Sequence, residues 1–302
     1  MPGFPPPLRV GLILTEQCDA GCAHCWFDCS PEKVATMSRY DAQNYIDKAS
    51  RLQSIEWISL TGGEPMSHPS LVEGLVAYAS GRGLKTELVT NCNWASTPEK
   101  AAGTLKRLRD AGLDVLNISA DDFHQPAIPF DRVRYAYDAA KGLGIKMVVM
   151  AALRRGGARL TDIERLLGDT IPVPGAEDQG EHAAIGVETG FTPVGRGASI
   201  PRAEWVLDGT PLTGGCGAVL RDIGVKPNGE VLPCCSASAT LPGFSLGNLD
   251  DVDLDEVLAK AWGRETFRVL SDKGPMGLHA APPGGVYVNK CHLCHETLRA
   301  LQ

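Results

Sequence analysis

From about residue 8 to about residue 190 the chain alternates short apolar runs with stretches of helical period, and this alternation limits the fold more than any other feature. Strands separated by helix-length connections pair in parallel, because a parallel neighbour can be reached only by a crossover of a dozen or more residues. Six such units are present, with strands predicted at 9–14, 57–60, 85–90, 115–119, 146–152 and 185–188, each followed by Gly, Asn, Asp or Cys. Between them, Ser38 with Asp41 three residues on opens one helix as a capping box. Thr97-Pro98-Glu99 opens another, with a cap followed by proline at the first helical position. Gly144 follows the 137–143 stretch as a helix-terminating glycine.

Near residue 200 the pattern changes. Residues 223–226 and 230–233 flank Asn228-Gly229, a strong two-residue hairpin signal. One helical stretch is predicted over 254–270, followed by a Gly/Pro-rich loop and a short tail. The reading is therefore two domains, 1–200 and 201–302, which suits a chain of 302 residues.

Lys and Arg total 29 against 36 Asp and Glu, a net charge of −7 that offers no basic surface for a phosphate backbone, so nucleic acid is not an expected partner. The longest near-continuous apolar run, 147–153, is seven residues, against the roughly 20 that a bilayer-spanning helix needs. No membrane partner is expected. The opening residues carry four prolines and no charged-then-apolar pattern, so no signal peptide is read there and a cytoplasmic location is expected. Ten cysteines are too sparse for a disulfide scaffold of this length; in a reducing compartment, clustered thiols bind metal or do chemistry.

Cys18, Cys22 and Cys25 form C-x3-C-x2-C directly after the first predicted strand. Three thiolates at such short steps can surround one iron–sulfur cluster and leave one iron open. A closed zinc site would need a fourth ligand, for which Cys29 and His24 are the nearest candidates. The motif resembles that of the radical S-adenosylmethionine (SAM) superfamily, although the position before the third cysteine, usually aromatic there, is His24. A second feature carries the same resemblance: Gly62-Gly63-Glu64-Pro65 follows the second strand, where the superfamily places its GGEP motif against the SAM amino group. Glycines there let the backbone approach a ligand, and Glu64 can hold a cationic amine or its neighbours.

The resemblance implies an α/β fold, a partial (β/α)6 TIM-like barrel. It places Thr90, Asn91, Ser119 and Asp121, at the ends of the third and fourth strands, toward the SAM ribose and carboxylate. It further implies reductive cleavage of SAM to a 5′-deoxyadenosyl radical that abstracts hydrogen from substrate. Asp122 and His124 put a carboxylate and an imidazole at a strand end, suited to proton transfer or to binding a substrate hydroxyl. Trp26 and Phe27 are read as shielding the cluster.

Cys216, then Gly229, then Cys234, with Cys291-x2-Cys294 near the end, can close a four-thiolate site from a hairpin and a C-x2-C loop. Cys235 could replace Cys234, and a zinc knob is the plainer alternative. The spacing resembles the twitch domain, a short SPASM-like domain with one auxiliary 4Fe–4S cluster, here a small α+β unit of hairpin plus helix. Thr192-Pro193-Val194-Gly195-Arg196-Gly197 resembles the P-x-G-R-A stretch that joins the two domains in that family. The cofactors implied are SAM and two 4Fe–4S clusters, one binding SAM and one auxiliary. Cys29, Cys92 and Cys235 remain over, as inert buried thiols or as hydrogen-atom donors.

Three functions fit. The first is modification of a ribosomally made peptide, forming a crosslink, thioether or epimer. The second is oxidation or rearrangement of a small metabolite such as a sugar or aminocyclitol, with the auxiliary cluster as electron acceptor. The third is a non-catalytic iron–sulfur scaffold, for which an intact SAM-contacting set would be unneeded. The first is favoured, although no fused peptide-recognition segment precedes the first strand. A low-potential electron donor such as flavodoxin or ferredoxin is the expected partner. The Gly/Pro-rich segment 274–285, with Pro282-Pro283, is read as a loop able to serve as a lid over the barrel mouth.

Overall fold

The computed structural model describes residues 6–175, 180–236, 240–281 and 284–302. The six predicted strands are present as β1 (Arg9–Thr15), β2 (Trp57–Gly62), β3 (Lys85–Thr90), β4 (Val115–Ser119), β5 (Lys146–Leu153) and β6 (Ala184–Gly190). Between them run α1 (Arg39–Ser50), α2 (Pro69–Ser80), α3 (Pro98–Ala111), α4 (Phe130–Gly142) and α5 (Leu160–Leu167). Every neighbouring pair from β1 to β6 is parallel. Val10, Leu12 and Leu14 on β1, with Ile58 and Leu60 on β2, are fully buried against Ile46 of α1 and Leu75 and Val76 of α2. Burying each such side chain is worth about 1.5–3 kcal/mol. The opposite face of the sheet lines the barrel interior.

The local signals act as expected. The Ser38 hydroxyl accepts the Asp41 N–H at 3.1 Å and donates to the Asp41 carboxylate at 2.6 Å, fixing the start of α1. Thr97 caps α3 through the Lys100 N–H at 3.2 Å. Asn228-Gly229 turns β7 (Asp222–Val225) into β8 (Glu230–Leu232), with Gly229 at φ +79°.

Three features differ from the sequence reading. The hairpin does not stand apart: β7 pairs in parallel with β1, so one nine-stranded sheet runs β6-β5-β4-β3-β2-β1-β7-β8-β9, with β9 at Gly247–Asn248. The sheet carries straight on past residue 200. The single helix expected over 254–270 is two, α6 (Leu254–Trp262) and α7 (Glu265–Lys273). Gly263 ends α6, and the Arg264 guanidinium bonds the Ser245 and Gly243 carbonyls, which turns Phe267 and Leu270 into a small core with Val219, Leu220 and Phe244. Finally, Cys291 and Cys294 sit on a helix, α8 (Lys290–Ala300), and not on a loop. The Asn289 side chain caps α8 by accepting the His292 N–H at 2.9 Å, and a spacing of three puts both cysteines on one helical face.

The segment read as a lid contains a 3₁₀ turn at Pro275–Leu278, while Pro282 and Pro283 lie outside the described residues. Among the described residues no helix is long and apolar enough to cross a membrane.

Candidate functional site

The loop that leaves β1 folds back beside the end of β2. Thr15 and Thr36 bridge its two arms, and the Cys18 N–H bonds the Ser30 carbonyl at 3.1 Å. Within it the Cys25 N–H bonds the Cys22 carbonyl at 3.1 Å, a tight turn that gathers Cys18, Cys22 and Cys25 on one side. All three line a cavity of about 300 Å³ at the C-terminal ends of the strands, within the size range of small-ligand sites. Parallel barrels bind ligands at that end.

The Gly62-Gly63 turn packs directly on this loop. Gly62 has φ +140°, and a Cβ on Gly63 would stand 2.1 Å from the Gln17 carbonyl oxygen and 3.1 Å from the Cys18 Cβ. Only glycine fits, and both glycines line the cavity. Glu64 and Pro65 do not. Glu64 is 1% exposed and turns into the protein, accepting the Met66 N–H at 2.9 Å, the Thr90 hydroxyl at 2.9 Å and the Asn91 N–H at 2.8 Å. Burial lifts its pKa to about 7 against the pull of those donors. Of the two roles read for Glu64, holding an amine or holding its neighbours, these bonds are the second: they close the β2 turn at Met66 and tie it to the end of β3 at Thr90 and Asn91.

Thr90, Asn91, Ser119 and Asp121 all line the cavity. The Asn91 amide donates to Asp19 at 2.8 Å and lies 3.9 Å from the Cys18 sulfur. Asp121 accepts the Phe123 N–H at 3.0 Å and the Ala152 N–H at 3.1 Å, and its Oδ1 is 2.8 Å from His124 Nδ1. Burial would raise the Asp121 carboxyl, but His124 beside it holds it below the usual range. For His124, burial opposes the charge, yet Asp121, hydrogen-bonded to the ring, raises its pKa to about 10, with Cys22 adding to the shift.

Asp122 goes elsewhere. Its carboxylate accepts the Ala158 N–H at 2.7 Å and lines a separate depression with Phe123, Arg154 and the 21–23 part of the cysteine loop. The two residues named as catalytic candidates, Asp122 and His124, thus face different spaces.

His24 stacks on Phe123 at 4.5 Å and meets His124 edge-on at 5.1 Å. Its buried Nδ1 has no hydrogen-bond partner among the described residues, and burial lowers its pKa to about 4. Trp26 and Phe27 line the cavity, as do Cys29 and Cys235. Cys92 is fully buried in the main core and does not.

Sequence reasoning gave Arg196 only a place in a linker. In the fold its Nε donates to the Cys22 carbonyl at 3.1 Å, Nη2 to the Cys29 carbonyl at 2.7 Å and Nη1 to Asp28 at 2.7 Å, while its backbone N–H bonds the Cys25 carbonyl at 3.1 Å. The signal was available in the 192–197 stretch, but nothing local shows what an arginine there touches.

On the other side of β1 lies the second thiol group. Cys234 is half-buried near Cys294, Cys291 and Cys216; desolvation, reinforced by their charges, pushes its pKa well up. The Ser236 hydroxyl sits 3.1 Å from its sulfur. Cys235 points the opposite way, over Gly11 and into the barrel, with its sulfur 3.6 Å from the Ile223 carbonyl oxygen. Four soft thiolates facing one another suit a closed cluster or metal, and three around an open cavity suit a cluster with one free iron. Both donor sets fit the groups expected of them.

Comparison with known families matches residues 12–156 to the radical SAM superfamily and residues 216–295 to the SPASM iron–sulfur cluster-binding domain. A PqqA peptide cyclase of Gluconobacter oxydans is 26% identical over 290 residues, covering 83% of this chain and 76% of that protein. The putative peptide biosynthesis protein YydG of Bacillus subtilis is 23% identical over 125 residues, 41% of this chain and 39% of that protein. The fold resembles that of Streptococcus suis SuiB, crystallised with S-adenosylmethionine, at a TM-score of 0.58 and 15% identity, covering 87% of this chain and 67% of that one. The two matched domains carry with them SAM and two iron–sulfur clusters. With the three-cysteine loop inside the first match and all four thiols of the second group inside the other, the chain belongs to the radical SAM superfamily of enzymes and carries a SPASM-type iron–sulfur domain.

Proposed function

We propose that this enzyme modifies a ribosomally made peptide, forming a crosslink, thioether or epimer. The observation that carries the reading is the similarity to a PqqA peptide cyclase along 83% of the chain, barrel and iron–sulfur domain together. YydG, named for peptide biosynthesis, adds to it.

In this reading Cys18, Cys22 and Cys25 hold the SAM-binding cluster, and Cys216, Cys234, Cys291 and Cys294 hold the auxiliary one, a division between residues 1–200 and 201–302. Cys234 is preferred to Cys235 because its sulfur faces the other three. Gly62, Gly63, Thr90, Asn91, Ser119 and Asp121 form the wall that receives SAM, supported by their shared cavity. Glu64 and Pro65 shape that wall from behind. Bound there, SAM and the reduced cluster supply a carbon radical able to take hydrogen from an unactivated C–H bond. The chain's part is to orient the reactants and exclude water, for which Trp26 and Phe27 at the cavity suit. A low-potential donor such as flavodoxin or ferredoxin and a cytoplasmic setting complete the reading, in keeping with cysteines gathered at cluster-binding spacings.

The test is anaerobic incubation of the reconstituted enzyme with SAM, a reductant and the peptide encoded by a short reading frame beside its gene. Peptide-dependent 5′-deoxyadenosine, with loss of hydrogen mass or uptake of solvent deuterium by the peptide, is expected. An unaltered peptide, with turnover of a sugar or aminocyclitol instead, would overturn it.

A further inference from the structure

The last two strands of the barrel have two unlike faces. On one face, Met147, Val149 and Ala151 of β5 and Ala184 of β6 are at most 2% exposed and belong to the main core. On the other, three cross-strand pairs stand in register: Val148 with Ile185, Met150 with Val187, and Ala152 with Thr189. Met150 is 38% exposed and Ile185 42%, although both are large apolar side chains on the barrel-facing side. A closed parallel barrel fills that space with layers of its own side chains. Among the described residues β6 ends the sheet, and these layers are left open.

The open face belongs to the cavity already described. Met150, Ala152, Val187 and Thr189 line it together with the cysteine loop and the Gly62-Gly63 turn. None of the six paired residues carries a charge. The carboxylate, imidazole and guanidinium groups on the cavity, those of Asp121, His24, His124 and Arg196, all come from other elements. Apolar surface left uncovered inside a cavity favours a guest that takes it out of water. A charged guest against it would lose its hydration and meet no counter-charge.

We infer that Met150 and Val187, flanked by Ile185 and Ala152, are specificity-determining residues that receive an aliphatic side chain, that of the peptide residue which gives up its hydrogen. The inference rests on the peptide-modifying reading above and narrows it to a class of target residue. The wall shares one cavity with the three cysteines, so a side chain laid on it brings its own residue next to the place where the radical forms. The side chain fixes position through contact area alone, since four of the six positions offer only hydrocarbon, Met150 adds a thioether and Thr189 a hydroxyl at the outer end.

The experiment uses the full-length reconstituted enzyme with SAM, a reductant and the peptide encoded beside its gene. The residue that loses hydrogen is located by transfer of deuterium from singly labelled peptides into 5′-deoxyadenosine. That residue should be aliphatic. Exchanging it for another aliphatic residue should keep most of kcat/KM, and exchanging it for Asp or Lys should lower kcat/KM by more than about tenfold. Met150→Asp and Val187→Asp should each raise the ratio of kcat/KM for the Lys peptide to that for the parent peptide by about tenfold, and a ratio is unaffected by a general loss of activity. If neither variant holds its clusters, the guest series on the unaltered enzyme still reads the preference. A charged residue at the position that loses hydrogen, or a ratio unmoved in both Asp variants, would overturn the inference alone. So would Asp variants that weaken SAM binding in a titration while the peptide preference holds, since the wall would then belong to SAM. An unaltered peptide, with no deuterium transferred from any position, would overturn the peptide reading and the inference with it.

Discussion

Arg196 Nη2 donates a 2.7 Å hydrogen bond to the carbonyl oxygen of Cys29, 167 residues earlier in the chain. The same guanidinium reaches the Cys22 carbonyl and Asp28, so one side chain spans the outer turns of the cysteine loop. Backbone carbonyls facing a site cannot be repaired by other side chains without a new donor, and hydrogen bonds from a charged group contribute about 1.5–3 kcal/mol each.

Arg196→Ala should therefore loosen the loop. The expected outcome is loss of the core cluster, from about eight irons per chain to about four, with a lower thermal midpoint. Arg196→Lys, which cannot bond three acceptors in a fork, should be intermediate. Iron content that stays at the unaltered level in Arg196→Ala would show the clamp to be dispensable.

Gly63 is expected to be the most size-sensitive position of the β2 turn. A Cβ there would stand 2.1 Å from the Gln17 carbonyl oxygen, a backbone atom that cannot rotate away. Gly63→Ala should cost about 1–3 kcal/mol and displace Cys18, measurable as a lower unfolding midpoint and weaker core-cluster absorbance with the auxiliary cluster retained.

Glu64 should leave a mark on the pH dependence of stability. Its folded pKa of about 7 lies above the free value of 4.5, so the folded chain holds the proton to higher pH than the unfolded chain does. Stability from this group is then fully present below pH 4.5 and is lost as pH rises toward 7. Glu64→Gln removes the titration, and its amide meets the Asn91 N–H with a donor where an acceptor is needed, at a cost of about 1–3 kcal/mol. Denaturant unfolding should show the gap between the two proteins narrowing as pH rises across that window; a constant gap would rule the titration out.

The adjacent cysteines at the end of β8 should separate cleanly. Cys234→Ser is expected to lose the auxiliary cluster and Cys235→Ser to keep it, because only the first sulfur faces Cys216, Cys291 and Cys294. Iron and sulfide content of the two variants checks this. Equal loss in both would mean that Cys235 also serves that cluster.

What the sequence determined by itself was what short-range chemistry can determine. The six strands, the Ser38 and Thr97 caps and the Asn228-Gly229 turn depend on periodicity and on hydrogen bonds within a few residues, and each appears where the residues imply it. The C-x3-C-x2-C spacing and the Gly62-Gly63 pair likewise mark a thiol group and a close backbone approach within a few residues. Tertiary structure decided everything that depends on which distant segment comes near. Pairing of β7 with β1 needs the whole barrel in place before its edge exists. The break at Gly263 follows from Arg264 finding carbonyls about twenty residues back. Glu64 reads equally as a holder of an amine or of its neighbours until Thr90 and Asn91 are seen to bond its oxygens, and Cys234 and Cys235 are indistinguishable until the sheet sends their sulfurs to opposite faces. Adjacent residues on a pleated chain point apart, so the direction of each is set by what packs on either side and not by its neighbours in sequence.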